Sequence, residues 1–301
     1  MNMNMNMNMN MNMNMKKIID PVYAHNYLVK EYSRLPRVDD AVIPLKLHLF
    51  WHNKQLPPKM HENVELLKST NPEFEVVVYD GDMAREYIKT HFSEDADVLK
   101  AYDTLIPVAF KCDLFRYCLI YKEGGIYLDI KFEPMNGFKL LHLAKWREVW
   151  ASEGLNIINN GIIVSAPGNP ILGRAINMIK YNVKNRITGK YPTSATGPQL
   201  LTDALLSISG GNNASMIQKF KSPMFKIKAV FYPNAFDFDN DNYNKLNLTI
   251  NGSGGSCPHE CILLPIFRFY KGYRKELVSM SPQMHWSKMW EKGADFVFKA
   301  M

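Results

Sequence analysis

Cysteine is scarce, four in 301 residues, too few for a small disulfide-stapled secreted fold. No basic and apolar leader precedes the chain's first elements, so reduced thiols in a cytoplasmic setting are expected. Long apolar runs are missing as well, and no segment approaches the length of a membrane span. No run of lysine and arginine interleaved with aromatics stands out, which argues against a nucleic-acid partner. The acidic stretch Asp237-Phe-Asp239-Asn-Asp241 lacks the glycine and the distal glutamate of an EF-hand and reads as a solvated loop. Cys257, His259 and Cys261 lack the paired C-x-x-C ligands of a structural zinc site, and Cys112 and Cys118 belong to a helical pattern. The sequons at Asn213, Asn247 and Asn251 carry meaning only in a secretory lumen.

What is present is enough for a globule. Hydrophobic residues make up 47% of the chain, and a formal charge of +7 suits an anionic ligand or an acidic membrane surface. The opening Met1–Met15 repeat has no turn signals, partner pattern or β-branched residue and is expected to be disordered. Residues 16–42 read as a lead-in, and 43–301 as one domain. Ile43–Trp51 alternates as a strand, Pro57-Pro58 opens a helix with an inward Met60, Val64, Leu67 stripe, and Phe74–Tyr79 follows as a second strand. Strand, helix, strand is the pattern of a parallel α/β sheet, whose ligands bind beyond the carboxyl ends of the strands. Further strands are expected over Val149–Ser152, Ile157–Val164 and Phe225–Tyr232, and helices over Ile171–Val183 and from Thr196-Gly197-Pro198 to Leu206.

The chain is organised around Asp113–Glu133, DLFRYCLIYKEGGIYLDIKFE. Val108, Cys112, Phe115 and Leu119 recur at helical spacing, and Asp113 and Arg116 share one helical face. Gly124-Gly125 ends the helix and releases the chain into a strand. Period two then places Tyr127, Asp129, Lys131 and Glu133 on one polar face. A helical carboxylate and guanidinium thus converge with a carboxylate at a strand's end. Read as a cleft, this geometry predicts that Asp113→Ala or Arg116→Ala spares the fold.

The pattern D-L-x-R-Y-x-x-x-Y-x-x-G-G-I-Y-x-D resembles glycosyltransferase family 32, the DXD-containing sugar transferases. The resemblance extends to IPLKLHLFWHNKQLPPKM (Ile43–Met60) and more weakly to NNGIIVSAPGNPIL, TGP and HWSKMW. It implies a single-domain GT-A-like, Rossmann-type mixed sheet flanked by helices. It also implies retaining transfer of a hexose from a UDP- or GDP-linked donor to a glycan, lipid or protein hydroxyl. Residue by residue, it makes Asp129 a catalytic residue and the ligand of any metal; Lys131, on the strength of its charge, is the second catalytic candidate. Asp113 and Arg116 would meet the sugar, Tyr127 and Trp51 the nucleotide, Asn160 the acceptor or the transferring sugar, His285 any metal and Trp286 the diphosphate.

The chain departs from the pattern at Lys131, which stands where the family places its second acid. A unit charge about 4 Å from a phosphate oxygen is worth roughly 4 kcal/mol at an effective dielectric near 20, and a divalent ion about twice that. Lysine therefore replaces part of a metal's role, and weak or absent dependence on Mn²⁺ or Mg²⁺ is expected. Two other classes stay open: a degenerate sugar-nucleotide binder, and a lectin-like or scaffold protein that keeps only the fold.

Overall fold

The structure is a computed structural model, described for residues 37–134, 138–153, 157–208, 228–232, 267–269 and 285–300. The Met-Asn repeat, the 237–241 acidic stretch, the Cys257–Cys261 cluster and the three sequons lie outside the described residues.

After a 3-10 turn at Val38–Asp40, strand β1 (Lys46–Phe50) leads into helix α1 (Pro58–Thr70), which Pro58 opens in a position where the missing N–H costs nothing. Strand β2 (Glu75–Tyr79) is followed by α2 (Gly81–His91), whose first turn is capped by Asp80 accepting from the Met83 N–H at 2.8 Å. Helix α3 (Ala96–Thr104) precedes α4 (Val108–Glu123). α4 is apolar on nearly every side and buries ten consecutive or near-consecutive residues from Phe110 to Ile120, as a helix surrounded by protein must. It ends at Gly124, where φ is +70° and an added Cβ would lie 2.6 Å from Pro167, so only glycine fits the exit.

The chain then forms β3 (Gly125–Leu128), β4 (Phe132–Pro134), the short α5 (Leu141–Ala144), β5 (Glu148–Glu153) and β6 (Ile157–Ser165). Helices α6 (Pro170–Lys184) and α7 (Pro198–Ile208) follow, then β7 (Lys228–Tyr232), β8 (Phe267–Phe269), α8 (Trp286–Glu291) and α9 (Ala294–Val297). The main sheet has the order β2-β1-β3-β6-β5-β7 and is mixed: β1 runs parallel to β2 and β3, β6 antiparallel to β3 and β5, and β7 parallel to β5. β4 and β8 form a separate antiparallel pair.

Alternation along the central strands divides the core in two. Phe50, Tyr127, Trp150, Ile158 and Ile163 face one cluster, packed with α2, α3, α4, α6 and α7. Leu47, Leu49, Ile126, Leu128, Val149 and Val164 face the other, under Met60, Val64 and Leu67 of α1 and Leu141 and Leu143 of α5. Both faces of β3 are therefore covered, which corrects the expectation of a polar face through Tyr127. The expected strand through Glu133 is also broken: it stops at Leu128, and a turn closed by the Phe132 N–H donating to the Asp129 carbonyl at 2.8 Å separates it from β4. The C-terminal segment returns to the helical face, where Leu105 pairs with Phe298 and the Ile106 N–H donates to the Val297 carbonyl at 2.9 Å.

Candidate active site

Because β1, β2 and β3 are parallel, Trp51, Asp80 and Asp129 leave the sheet at the same end. Asp129 is the first residue past β3. Its N–H donates to the Gly161 carbonyl at 2.7 Å, extending the β3–β6 pairing by one step and fixing where its side chain begins. Arg116, two turns into α4, reaches across: Nη1 donates to Asp129 Oδ1 at 3.0 Å and to the Asn160 carbonyl at 2.8 Å. Its Nη2 meets the Cys112 Sγ at 3.0 Å and lies 3.5 Å from Asp113 Oδ1. The guanidinium also sits over the Tyr127 ring, 4.6 Å from its centroid, and the Tyr127 hydroxyl donates to Asp129 Oδ1 at 3.1 Å.

Asp113 joins the same network from behind Asn160. Asn160 Nδ2 donates to its Oδ1 at 2.8 Å and to the Tyr117 hydroxyl at 2.8 Å, while Thr196 Oγ1 donates to its Oδ2 at 2.8 Å. Two glycines make room for the carboxylates. A Cβ on Gly161 would lie 2.8 Å from Asp129 Oδ2, and one on Gly197 3.4 Å from Asp113 Oδ2.

Charge is divided unequally between the two acids. Burial pushes the Asp113 carboxyl above its ordinary value despite Arg116, Thr196 and Asn160. Burial acts on Asp129 too, but the charges of Arg116 and Lys131, with hydrogen bonds from Lys131 and Tyr127, outweigh it and hold this carboxyl low. Burial works against the Arg116 charge, yet Asp129 and its other neighbours keep it firmly protonated. The Cys112 thiol is pushed up to about 11 by burial, so no thiolate nucleophile exists here.

Lys131 reaches the cluster by a route that period two does not describe. The turn after Asp129 folds it back, and its Nζ lies 2.9 Å from Asp129 Oδ2. At 35% side-chain exposure, against 17% for Asp129 and 7% for Arg116, it is the wettest charge in the group. The turn itself is held from below: Asn63 of α1, fully buried, donates through Nδ2 to the carbonyls of Ile130 at 2.7 Å and Phe132 at 2.9 Å, on either side of Lys131.

A divalent ion at a DXD position needs carboxylate oxygens with open lone pairs. Here Asp129 Oδ1 accepts from Arg116 and Tyr127, Oδ2 faces the Lys131 ammonium, and the second acid is absent. Among the described residues no group of three or more His, Cys, Asp or Glu side chains converges. With its oxygens so engaged, this donor set does not fit Mn²⁺ or Mg²⁺ as it stands among the described residues.

The structure thus brings Asp113, Arg116, Tyr127, Asp129, Lys131 and Asn160 together, but not all as contacts for a ligand. Tyr127 is 1% exposed and supports Arg116 and Asp129 from beneath, so a nucleotide contact through its ring is corrected. Trp51 is likewise a core residue, packed in the cluster with Ile130 and Phe132, although its buried Nε1–H has no hydrogen-bond partner. Among the described residues His285 and Trp286 make no contact with the carboxylates: His285 Nδ1 lies 2.8 Å from Ser287 Oγ, and Trp286 packs on Phe110 with ring centroids 6.0 Å apart. Trp286 latches the C-terminal segment onto α4. Asn63, Tyr117, Thr196, Gly161 and Gly197 were not foreseen as site residues; the Asn-Gly and Thr-Gly-Pro patterns were visible, but their reach to Asp129 and Asp113 depends on sheet order.

Residues 57–148, which span α1 to the start of β5, match the family described as glycosyltransferase sugar-binding region containing DXD motif. The chain is 25% identical over 186 residues to inositol phosphoceramide mannosyltransferase 3 of Schizosaccharomyces pombe, covering 61% of this chain and 48% of that protein. It is 25% identical over 188 residues to the uncharacterized glycosyltransferase L373 of Acanthamoeba polyphaga mimivirus, covering 60% of this chain and 72% of that one. The PaToxG glycosyltransferase structure aligns with a TM-score of 0.46 at 18% identity over 64% of this chain and 80% of its own. The chain spans about half the length of the Schizosaccharomyces pombe relative. Residues 57–148 are thus similar to glycosyltransferase sugar-binding regions containing a DXD motif.

Proposed function

We propose that this protein transfers a hexose from a nucleoside-diphosphate sugar to a hydroxyl acceptor, with retention at the anomeric carbon. The observation that carries the reading is the pair formed by Asp129 and the half-exposed Lys131 at the carboxyl end of β3, 2.9 Å apart, inside the matched region. In the reaction the bond from the anomeric carbon to the diphosphate oxygen breaks and one to the acceptor oxygen forms. The acceptor's proton passes to the departing diphosphate. Among the described residues of the site no covalent nucleophile offers itself, since Asp129 is held by Arg116 and Cys112 stays protonated.

The protein's part is then electrostatic and positional. Lys131 faces the developing charge on the diphosphate, and Asp129 holds the ammonium in place and orients donor hydroxyls. Arg116, Asp113, Asn160 and Tyr127 form the rigid support beneath them. Because that donor set suits a lysine and not a metal, donor binding is proposed to depend weakly or not at all on Mn²⁺ or Mg²⁺.

The fission-yeast relative's name supports a mannosyl donor and a sphingolipid acceptor as the first to test. A cytoplasmic setting, host cytoplasm for a viral protein, belongs to the same proposal. Thermal unfolding with UDP, GDP and their sugars checks it. Stabilisation by one nucleotide and its sugar supports the reading, and indifference to all of them favours a scaffold that keeps only the fold.

A further inference from the structure

The end of α6, the α6–α7 connection and the C-terminal helices build one surface. Arg186 joins them: its Nη1 donates to the Lys299 carbonyl at 2.9 Å and its Nη2 pairs with Asp295 at 2.5 Å. Trp290 Nε1 donates to the Thr188 carbonyl at 3.2 Å. On these two segments stand Tyr181 at 62% exposure, Tyr191 at 49%, Phe296 at 43% and Ile187 at 39%. They are half of the eight large hydrophobic side chains that are exposed among the described residues, the others being scattered.

The same segments are basic. Residues 181–191 hold Lys184, Arg186 and Lys190 and no acid, and residues 285–300 hold Lys288, Lys292 and Lys299 against Glu291 and Asp295. That is a net +4 of the chain's +7. Both acids are already paired, Glu291 with Lys288 at 2.9 Å and Asp295 with Arg186. Two lysines sit beside exposed rings: Lys190 Nζ is 5.3 Å from the Tyr191 centroid, and Lys292 Nζ 5.0 Å from that of Phe296.

Exposed rings with ammonium groups beside them suit the boundary between water and lipid, where the ring enters the headgroup layer and the ammonium meets lipid phosphate. We propose that the surface formed by residues 181–191 and 286–299 docks the protein on an anionic phospholipid bilayer. A second copy of the chain is the poorer occupant, because two faces of net +4 would repel. The connection that carries Ile187, Lys190 and Tyr191 continues to Thr196 and Gly197, which touch Asp113 and Tyr117, so docking sets the candidate site close to the bilayer. No helix among the described residues is long and apolar enough to cross a membrane, and docking of this kind requires none.

Co-sedimentation of the full chain with phosphatidylcholine vesicles, with and without phosphatidylserine, tests this without any sugar donor and so independently of the transferase reading. Binding is expected only with phosphatidylserine, lost at high salt, and weakened roughly thirtyfold in Lys190→Gln/Lys292→Gln, as two surface cations predict. Tyr191→Ser/Phe296→Ser is expected to weaken it about tenfold, while Lys68→Gln/Lys89→Gln, on exposed lysines elsewhere, leaves it unchanged. Absence of vesicle binding, equal binding to phosphatidylcholine alone, or an equal loss in the Lys68/Lys89 variant would overturn the proposal. So would a wild-type dimer in solution that the Tyr191/Phe296 variant dissociates.

Discussion

Arg116 Nη1 lies 3.0 Å from Asp129 Oδ1, a helix residue and a strand-end residue joined inside the protein with 7% and 17% of their side chains exposed. The pair is a structural element as much as a functional one, because each charge is buried only by virtue of the other.

Arg116→Ala therefore unfolds the protein more readily, by about 3–5 kcal/mol, since it leaves Asp129 unpaired and removes a neighbour of Asp113. The reading of these residues as cleft side chains whose loss spares the fold does not survive their burial. Thermal unfolding checks it: a large fall in melting temperature for Arg116→Ala, partly restored in Arg116→Met/Asp129→Asn, is the expected pattern. A single variant that melts like the wild type would show that the pair contributes nothing.

Gly161 and Gly168 make a matched comparison. Alanine at Gly161 places a Cβ 2.8 Å from Asp129 Oδ2 and 2.9 Å from Phe132, so it is expected to cost about 1–3 kcal/mol and to displace the carboxylate, lowering donor turnover at least about tenfold. Gly168 has φ of +74° but open space around it, so Gly168→Ala carries only backbone strain of about 1–2 kcal/mol and keeps turnover. Steady-state kinetics with melting curves separates the two, and equal turnover in both variants would show that the fit around Asp129 is unimportant.

The order of elements was legible because it rests on local signals. The alternation in Ile43–Trp51, Pro57-Pro58, and Gly124-Gly125 after an apolar helix each act within a few residues, and β1, α1 and the exit from α4 lie where those signals put them. The convergence of Asp113 with Arg116 followed from helical spacing alone. Burial was not legible, because it depends on which strands flank β3. Tyr127 reads as polar and exposed until β1 and β6 enclose its strand and α4 covers its ring. Thr196 reaches Asp113 across 83 residues, a relationship no local pattern encodes. The turn that returns Lys131 to Asp129 depends on Asn63, far upstream on α1.

His48 supplies a pH dependence separate from catalysis. Burial lowers its pKa to about 4, and its ring bridges the Gly124 carbonyl at 3.1 Å and the Tyr79 hydroxyl at 3.4 Å. A neutral ring in the fold against an ordinary value of 6.5 unfolded means that the unfolded chain binds the extra proton first. Stability is therefore complete above pH 6.5 and falls as pH drops from there towards about 4, by an amount on the order of 3 kcal/mol. Denaturant titrations between these limits should show the loss, and His48→Gln should flatten it. An unchanged slope in that variant would assign the acid sensitivity elsewhere.

Donor hydrolysis in EDTA, measured as hexose released from GDP- and UDP-sugars by the wild type, Lys131→Ala and Lys131→Asp, distinguishes a lysine from a metal ion at the diphosphate. The wild type is expected to turn over without added metal, Lys131→Ala to lose about a hundredfold or more, and Lys131→Asp to be active only with Mn²⁺. Strict Mn²⁺ dependence in the wild type, or undiminished turnover in Lys131→Ala, would contradict that role for the lysine.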